Sequence, residues 1–457
     1  MLINLHIRNF RSIRKADISF KADRDDMTAV RLSKEGDTEH RLLKTADPDL
    51  TVVPVKNIIG LSSFGKTTLI DALYVLKDVT LGTDVTQYYT PCLESPEFAK
   101  APIEISADFT LEHKHKRFNA TYGVTFTEKG LIDEKLFIED EADTHFRITD
   151  GIITQKSDAV TGESEYLKGN CPGGKTEGQS FLCYLSQNAP DGIIGSAAFT
   201  LTHGFFFLFL DDISAHATVS AFEEFSLSVA PFLENVKDHK EEFLLSQLSH
   251  FMKDMTGIES LRHEINDQGV NSLFAVHKCG KESYELDFNY ESDSTRATFL
   301  VLIHILKSIL VGAVAIIDDF NTHLHPYAQI YLPKLFKSER NELEAQLIIV
   351  HHGEKIMIPD GEECADELCC LNRSPEGGTV AVSGRELIKS SNVEFAHGRR
   401  RGKMPTPPIK QNSDNSESVR TVTTSKRKNE GSSEANAKKS KSKNSQSVFY
   451  FESDEES

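Results

Sequence analysis

The clearest pattern along the chain is a buried strand that leads through a glycine-rich turn into an amphipathic helix. Residues 51–59 are mostly apolar and β-branched, which predicts a strand. Beyond Thr68, apolar residues recur at three- and four-residue spacing, which predicts a helix. Similar patterns predict the remaining elements: strands at 2–7, 16–20, 103–111, 118–126, 271–277, 283–289, 314–318 and 346–350, a buried helix or strand at 205–210, helices within 215–257 and at 295–310 and 326–336, and a turn-rich region at 150–200.

Length and composition indicate a globular protein with two or three subregions. The chain has 457 residues, of which 39% are hydrophobic and 26% charged. Its longest apolar run, residues 205–210, is far shorter than the ~20 residues of a membrane helix. It begins without a secretory leader, and its 7 cysteines lack a disulfide or metal-site spacing. We therefore expect a cytoplasmic protein with reduced thiols and no membrane partner.

Charge is spread unevenly. The net charge is −18, although residues 399–457 contain 13 Lys and Arg against 8 Asp and Glu. The acidic body would not coat nucleic acid by bulk electrostatics, so such contact would need a local basic cleft or the tail. Residues 404–457 are rich in Ser, Lys, Asn, Pro and Glu, which predicts a disordered tail. Its basic runs at 426–427 and 438–441 fit either a nuclear-import signal, and hence a nuclear protein, or a polybasic arm.

The turn after the first buried strand has the sequence of a phosphate loop. Gly-Leu-Ser-Ser-Phe-Gly-Lys-Thr-Thr at 60–68 matches G-x4-G-K-T and lies between a predicted strand and helix. Backbone N–H groups in such a loop, together with the helix N-terminus, bind phosphates. The alternative is a chance match within an ordinary loop. The residues predicted to bind nucleotide here are Gly60, Ser62, Ser63, Phe64, Gly65, Lys66, Thr67 and Thr68.

A second polar site follows about 250 residues later, where the apolar strand 314–317 ends in Asp318 and Asp319. A strand-end aspartate commonly holds the magnesium that accompanies a phosphate loop, although the pair would also suit a cap on the next helix. His323 and His325 lie close enough to Asp319 in the sequence to suggest that the three residues form a metal site. No further ligands are evident, so His325-Pro326 is better interpreted as the start of a helix.

Six short motifs follow one another along the chain: Asn9–Ile13, the phosphate loop, Glu291–Thr295, Asp318-Asp319, His323–Pro326 and Gln346–His352. In this order they resemble ABC-class ATPases of the abortive-infection type, relatives of the overcoming-lysogenization-defect and chromosome-maintenance ATPases. The resemblance covers about residues 1–403. It implies an α/β fold, a P-loop NTPase with an ABC-type ATPase core that combines a mixed sheet, an antiparallel β-subdomain and a helical insertion. It divides the chain into an N-terminal lobe (1–76), a β-hairpin and helical insertion (77–290) and a C-terminal lobe (291–403).

The resemblance also implies catalytic roles for Lys66, Asp319 and His352, and it implies that the protein binds ATP and Mg²⁺. Lys66 would contact the β- and γ-phosphates, and Thr67 and Asp318 would hold the magnesium ion. Asp319 stands where the family usually has the glutamate that orients the attacking water. His352 stands where a switch histidine senses the γ-phosphate, although an ordinary strand-end histidine is the alternative.

The segment Glu291–Thr295, with Ser292 and Ser294, corresponds to the ABC signature, which closes over the nucleotide of the opposite subunit. This implies a head-to-head homodimer or a higher homo-oligomer. A simpler alternative is that Ser292 only caps the helix that follows. The glutamine loop of the family has no clear counterpart, and Gln87 is a position to check.

Several departures from the family pattern predict slow hydrolysis. Asp319 is one methylene shorter than glutamate, and a ~1 Å misplacement of a catalytic group costs on the order of 10²-fold in rate. Ser294 replaces the signature glycine, and Ser62 and Phe64 are unusual in the loop. We predict a slow ATPase that acts as a dimeric switch in antiviral defence or nucleic-acid surveillance, with a separate effector nuclease or toxin as partner. The alternatives are a nucleotide-gated scaffold with little hydrolysis and a DNA-repair ATPase, the latter disfavoured because no long coiled-coil pattern is present.

Overall fold

The computed structural model describes most of the first 391 residues. The predicted disordered tail, 404–457, lies outside the described residues, as does the late stretch 392–403. The described residues are 1–22, 42–61, 63–92, 99–139, 143–149, 152–156, 180–188, 190–210, 215–229, 240–265, 267, 271–352, 365–375 and 377–391.

Strands dominate the first half of the chain, where apolar and polar residues alternate. In β1, for example, the buried side chains Leu5 and Ile7 are separated by the half-buried His6, which is the period of a strand with one face on a core. The strands among the described residues are β1 (Leu2–Phe10), β2 (Ile13–Ser19), β3 (Lys21–Ala22), β4 (Leu43–Lys44), β5 (Thr51–Val52), β6 (Val55–Gly60), β7 (Ile103–His113), β8 (Lys116–Thr127), β9 (Gly130–Glu139), β10 (Asp143–Thr149), β11 (Ile152–Lys156), β12 (Phe205–Phe209), β13 (Ser260–Ile265), β14 (Asn271–Cys279), β15 (Glu282–Asp287), β16 (Val314–Asp318), β17 (Gln346–His352), β18 (Leu368–Arg373) and β19 (Thr379–Ser383).

Helices fill the spaces between the later strands. The longest begins at the cap Ser292 and ends at Gly312, whose left-handed φ of 70° lets the chain turn back. Single-turn 3₁₀ helices lie at Val85–Tyr88, Phe288–Tyr290 and Ala365–Glu367. The described α-helices are α1 (Lys66–Thr80), α2 (Phe181–Asn188), α3 (Ile193–His203), α4 (Ala215–Val229), α5 (Lys240–Thr256), α6 (Asp293–Val311), α7 (Phe320–His323), α8 (Pro326–Lys337) and α9 (Gly384–Ser391).

One mixed sheet of 13 strands carries the fold, in the order β11-β10-β9-β8-β7-β1-β2-β19-β18-β6-β17-β16-β12. The block from β18 to β12 is parallel. The block from β11 to β2 is antiparallel. The hairpin β18–β19 joins the two blocks, because β18 pairs with β6 and β19 pairs with β2. This arrangement confirms the predicted α/β fold class with a mixed sheet and an antiparallel part.

Two apolar clusters hold the helices on the sheet. The first packs α1, through residues such as Leu69, against the antiparallel strands around Phe109. The second surrounds α6 and includes Phe299 and Ile317. Among the described residues, α6 is long and apolar enough to cross a membrane by length and composition, but 56% of its most apolar window is buried. A central core helix has the same composition, and here α6 lies against α4 and α5.

Several predicted boundaries differ from the structure for local reasons. The predicted strand 51–59 divides into β5 and β6, because Pro54 between them has no N–H for the sheet ladder. The turn-rich region 150–200 contains α2 and α3 as well as turns. The strands β10 and β13 were not predicted, since charged residues interrupt their apolar alternation, and β11 lies in the region that was predicted to be turn-rich.

Candidate nucleotide-binding site

The phosphate loop connects β6 to α1 and depends on two glycines. A Cβ on Gly60 would lie 3.2 Å from Cβ of Leu371 on the neighbouring strand. Gly65 has a φ of 77°, and a Cβ there would lie 2.6 Å from Oγ of Ser12. Gly65 also precedes the first turn of α1 and provides no side-chain cap, and the N–H groups of a helix's first turn are the groups that bind anions.

Of the three predicted nucleotide-binding residues between the two glycines, Ser63 and Phe64 are described and Ser62 is not. Ser63 is exposed and takes a left-handed φ of 70°. Phe64 is half-buried and packs on the first apolar cluster, which anchors the loop to the core. Ser62 lies outside the described residues, so its predicted contact with nucleotide stays a prediction.

Four of the seven described non-glycine residues with a left-handed backbone belong to the predicted motifs of this site. Besides Ser63, the non-glycine residues Asn9, Arg11 and Asp319 have φ values of 57°, 49° and 50°. Each such residue costs roughly 1–3 kcal/mol, a strain that persists only where the surrounding structure imposes it. Lys114, His115 and Glu344 also have positive φ, so the strain at the loop and at the Asp318-Asp319 turn favours a functional site without establishing one.

Lys66 lies inside the loop rather than in solvent. Its side chain is buried, and Nζ donates to the carbonyl oxygens of Gly60 and Leu61, both at 3.0 Å. Burial lowers the pKa of Lys66, while the nearby charges of Asp319 and Asp318 act in the opposite direction. The ammonium group is therefore held within the turn, where a phosphate group would replace the two carbonyls as its partner.

The two distant halves of the predicted site meet at Thr67 and Asp318. Thr67 Oγ1 donates a hydrogen bond of 2.9 Å to Oδ2 of Asp318. Burial raises the pKa of Asp318, the hydrogen bond from Thr67 lowers it, and the charge of Asp319 raises it again. A hydroxyl and a carboxylate oxygen facing each other beside a phosphate loop form a donor set that fits Mg²⁺.

Asp319 directly follows this carboxylate and begins α7. Its backbone N–H donates to Oδ1 of Asp318 at 3.0 Å, which fixes the turn between β16 and the helix. Its carboxylate acts electrostatically on both Lys66 and Asp318. The structure thus brings three predicted residues, Lys66, Asp318 and Asp319, into one charged cluster.

Strand β17 brings the two histidines alongside the loop. His352 is in register with Gly60, the first residue of the phosphate loop, although its side chain lies outside the described part. His351 is buried, and its Nδ1 lies 3.1 Å from Nδ2 of Asn321. The switch role of His352 therefore stays a prediction that its backbone position favours.

The predicted signature segment begins a helix on the surface. Ser292 is the N-cap of α6, accepting a hydrogen bond of 3.2 Å from the backbone N–H of Thr295. Ser294 is half-buried in the first turn, and Glu291 contacts His277 at 2.5 Å. The capping alternative is thus observed, and a role toward a second subunit stays a prediction.

Other predicted positions contribute less. His325 accepts a hydrogen bond from the N–H of Tyr327 and so starts α8, as expected. The side chain of His323 lies outside the described part of the chain, and within that part no group of His, Cys, Asp and Glu could hold a metal ion by itself. Gln87 is exposed on a 3₁₀ helix.

The edge strand β12 reaches the same end of the sheet as the carboxylates. Phe209 at its end is in register with Asp318, because β12 and β16 are parallel. The two aspartates that follow in the sequence, at 211 and 212, lie outside the described residues. Sequence patterns did not place this strand beside β16, since the pairing spans about 100 residues.

The N-terminal turn supports the loop through contacts that the sequence did not predict. Ser12 Oγ lies 3.4 Å from Oγ1 of Thr68, and the carbonyl of Ser12 accepts a 2.7 Å hydrogen bond from the N–H of Thr379. Arg11 forms an ion pair with Asp71 on α1. The motif Asn9–Ile13 was the available signal, but it did not reveal these partners.

Comparisons with known proteins give fold-level likeness only. No protein-family model and no curated protein matches the chain. Among solved structures, it is similar to an SMC head domain from Thermotoga maritima, with 10% identity, 84% of this chain and 98% of that chain covered, and a TM-score of 0.41. It is also similar to an Smc head domain with an extended coiled coil, bound to the C-terminal domain of ScpA and derived from Pyrococcus furiosus. The identity is 13%, the match covers 85% of this chain and 98% of that chain, and the TM-score is 0.40. A third similar structure is an Smc head domain with a coiled coil and joint derived from Pyrococcus yayanosii. The identity is 10%, the match covers 86% of this chain and 99% of that chain, and the TM-score is 0.41. These values are too low to assign a family or an activity to this chain.

Proposed function

We propose that this protein is an ATP-binding ATPase of the ABC class that hydrolyses ATP slowly. The observation that supports it most directly is the 2.9 Å hydrogen bond between Thr67 and Asp318, 251 positions apart in the chain. A phosphate loop and a strand-end aspartate that share one site are what phosphoryl transfer needs, because the chemistry consists mostly of positioning and charge stabilisation.

In this proposal each residue of the site has a separate role. Lys66 and the first turn of α1 bind the phosphates, and Thr67 and Asp318 hold Mg²⁺, which neutralises phosphate charge when bound. Asp319 accepts a hydrogen bond from the attacking water and orients it. His352 contacts the γ-phosphate from the end of β17.

The proposal predicts that Lys66→Ala abolishes ATP binding. Removing the buried ammonium takes away the main cationic partner of the phosphates, so we expect the Kd for Mg·ATP to rise at least 100-fold. Lys77→Ala is the matched control, since Lys77 lies in the last turn of the same helix. Equilibrium binding of a fluorescent ATP analogue, with thermal denaturation to check folding, measures both. Tight ATP binding by folded Lys66→Ala protein would refute the assignment.

A nucleotide-gated scaffold with little turnover is the second candidate. It is favoured by Asp319, whose side chain is short for a group that must reach an attacking water, and whose left-handed backbone suits Asp better than Glu. In this version ATP binding alone changes the state of the protein, and hydrolysis only resets it.

For the biological role we propose a dimeric switch in antiviral defence or nucleic-acid surveillance. The order of the motifs along the chain supports it. ATP would clamp two copies together, and a separate effector nuclease or toxin would respond to the clamped state. Any protective phenotype against phage should then disappear in the Lys66→Ala strain and persist in the Lys77→Ala strain.

A further inference from the structure

Asn321 connects the two ends of the proposed catalytic site. It lies in α7, two residues after Asp319, and its Nδ2 is 3.1 Å from Nδ1 of His351 on β17. His351 immediately precedes His352, the candidate that would contact the γ-phosphate. One side-chain contact therefore connects the segment just after Asp318-Asp319 to strand β17, which carries His351 and His352.

The chemistry of this contact fixes its direction. An amide nitrogen can only donate, so Nδ1 of His351 accepts, and a neutral imidazole then carries its proton on Nε2. His351 is 3% exposed, which leaves little water to replace a lost partner. The contact with Asn321 therefore favours one orientation and one tautomer of the ring.

The helix that carries Asn321 needs such contacts to hold its position. α7 has four residues, far too few to be stable alone. Gln329 on α8 donates from Nε2 to the carbonyls of Asn321 and Leu324, at 3.2 and 2.9 Å. At the other end, Asp318 accepts from the N–H of Asp319. Phe320 packs in the same apolar cluster as Leu347 and Ile349 of β17, and the contact between Asn321 and His351 adds a polar, directional tie between this helix and that strand.

We propose that Asn321 is a positioning residue, which acts through His351 to hold Asp319 and His352 at a fixed separation. This inference rests on the proposed ATPase function, because the separation matters only where both residues face one nucleotide. A shift of ~1 Å at a catalytic group can cost up to about 100-fold in rate, so loss of this tie should slow hydrolysis more than it weakens ATP binding.

A double-mutant cycle tests the proposal. Asn321→Leu removes the donor at similar size, His351→Phe removes the acceptor, and the third variant carries both changes. We expect each single variant to lower the single-turnover rate about tenfold with the Kd for Mg·ATP within about twofold of wild type. The double variant should be no slower than either single variant, because the two residues act as one unit.

A conservative variant separates positioning from simple packing. His351→Asn places an amide oxygen near the Nδ1 position and should keep the rate within about threefold of wild type, whereas His351→Phe should not. Thermal denaturation reports folding, and Asn321→Ala replaces Asn321→Leu if the latter does not fold.

Three results would overturn the inference: an unchanged rate in the Asn321 variants, a Kd that weakens as much as the rate falls, or independent losses that multiply in the double variant. Failure of the proposed function looks different, because wild-type protein would then neither bind nor hydrolyse ATP.

Discussion

Among single residues, Asp319 joins a chemical role to a conformational one. Its φ of 50° and ψ of 35° place it in the left-handed region, where Asn and Asp are tolerated better than other non-glycine residues. A glutamate would gain reach toward a water molecule but would cost roughly 1 kcal/mol more in this backbone conformation. At this position a longer side chain would come closer to the attacking water, but it would also make the left-handed backbone less stable.

Two substitutions at Asp319 distinguish an ATPase from a scaffold. Asp319→Asn keeps the backbone preference but loses the negative charge, so turnover should fall at least tenfold while the Kd for ATP stays within about threefold. Asp319→Glu should lower the free energy of unfolding by about 1 kcal/mol, and should raise turnover if side-chain length limits the rate. Steady-state phosphate release and urea denaturation measure these effects. Equal turnover in Asp319→Asn and wild type would exclude Asp319 from the chemistry.

The sequence predicted residue types at the site better than it predicted their partners. Lys66, Thr67 and Asp318 follow from motif spacing, because a phosphate loop fixes the chemistry of each position. Asn321 was missed, and Ser12 was included in a motif but without its partner, since their partners lie 30 and 56 positions away and only the folded sheet brings them together. Short polar residues in turns are also common for local reasons, so neither residue stands out in a sequence.

Helix α2 illustrates how a single carboxylate fixes an element. Glu134 of β9 is fully buried and accepts four hydrogen bonds. Its donors are the hydroxyls of Tyr122 and Ser180, at 2.8 and 2.7 Å, and the N–H groups of Phe181 and Leu182, at 2.7 and 3.1 Å. It therefore satisfies the first N–H groups of α2 from the neighbouring sheet, as an N-cap would from within the chain.

Removing this carboxylate should loosen α2. Glu134→Ala leaves two N–H groups and two hydroxyls buried without their acceptor, so we expect a loss of about 3 kcal/mol or more in the free energy of unfolding. Glu134→Gln keeps one oxygen acceptor and should lose less. Urea denaturation gives both values, and amide hydrogen exchange at Phe181 and Leu182 shows whether the loss is at α2. A loss below about 1 kcal/mol in Glu134→Ala would contradict the anchoring role.

Wild type and Glu134→Gln should differ in how their stability depends on pH. Burial raises the pKa of Glu134 above its usual 4.5, despite the hydrogen bonds that oppose this shift. The folded state therefore retains the proton to a higher pH, so the stability from this group is complete below about pH 4.5 and is lost as the pH rises through the folded pKa. The stability of wild type relative to Glu134→Gln should fall over that range, and a constant difference would be inconsistent with the shift.

At the scale of elements, strong periodicity predicted well and long-range pairing did not. The helices α1, α6 and α8 and the strands β16 and β17 appear close to their predicted bounds, because each has a continuous apolar face and a clear start. Sequence could not show that β12 borders β16 or that β18 borders β6. Those neighbours depend on the sheet as a whole rather than on local propensity.

For the whole molecule, the untested prediction is ATP-dependent dimer formation through the start of α6. Ser292 caps this helix in the single chain, so Ser292→Ala should cost about 1 kcal/mol of stability with or without ATP, whereas Ser292→Asn should keep the cap. If the Ser292 hydroxyl also binds the nucleotide of a second subunit, both variants should dimerise at least tenfold more weakly in ATP.

Sedimentation velocity in the Asp319→Asn background, where hydrolysis is slowed, measures the dimer directly. A wild-type protein that stays monomeric in saturating ATP would contradict the prediction. So would Ser292→Asn protein that dimerises as tightly as wild type, because capping would then be the whole role of the residue.

The hairpin β18–β19 has a consequence for biosynthesis. It separates β2 from β6, so the strands made first and the strand that leads into the phosphate loop share a sheet only after residues 368–383 have been translated. Until then a nascent chain exposes two unpaired strand edges, which are templates for aggregation. Ribosome stalling or premature termination between residues 353 and 367 should therefore produce chains that depend on chaperones, even though every motif for nucleotide chemistry has already been translated.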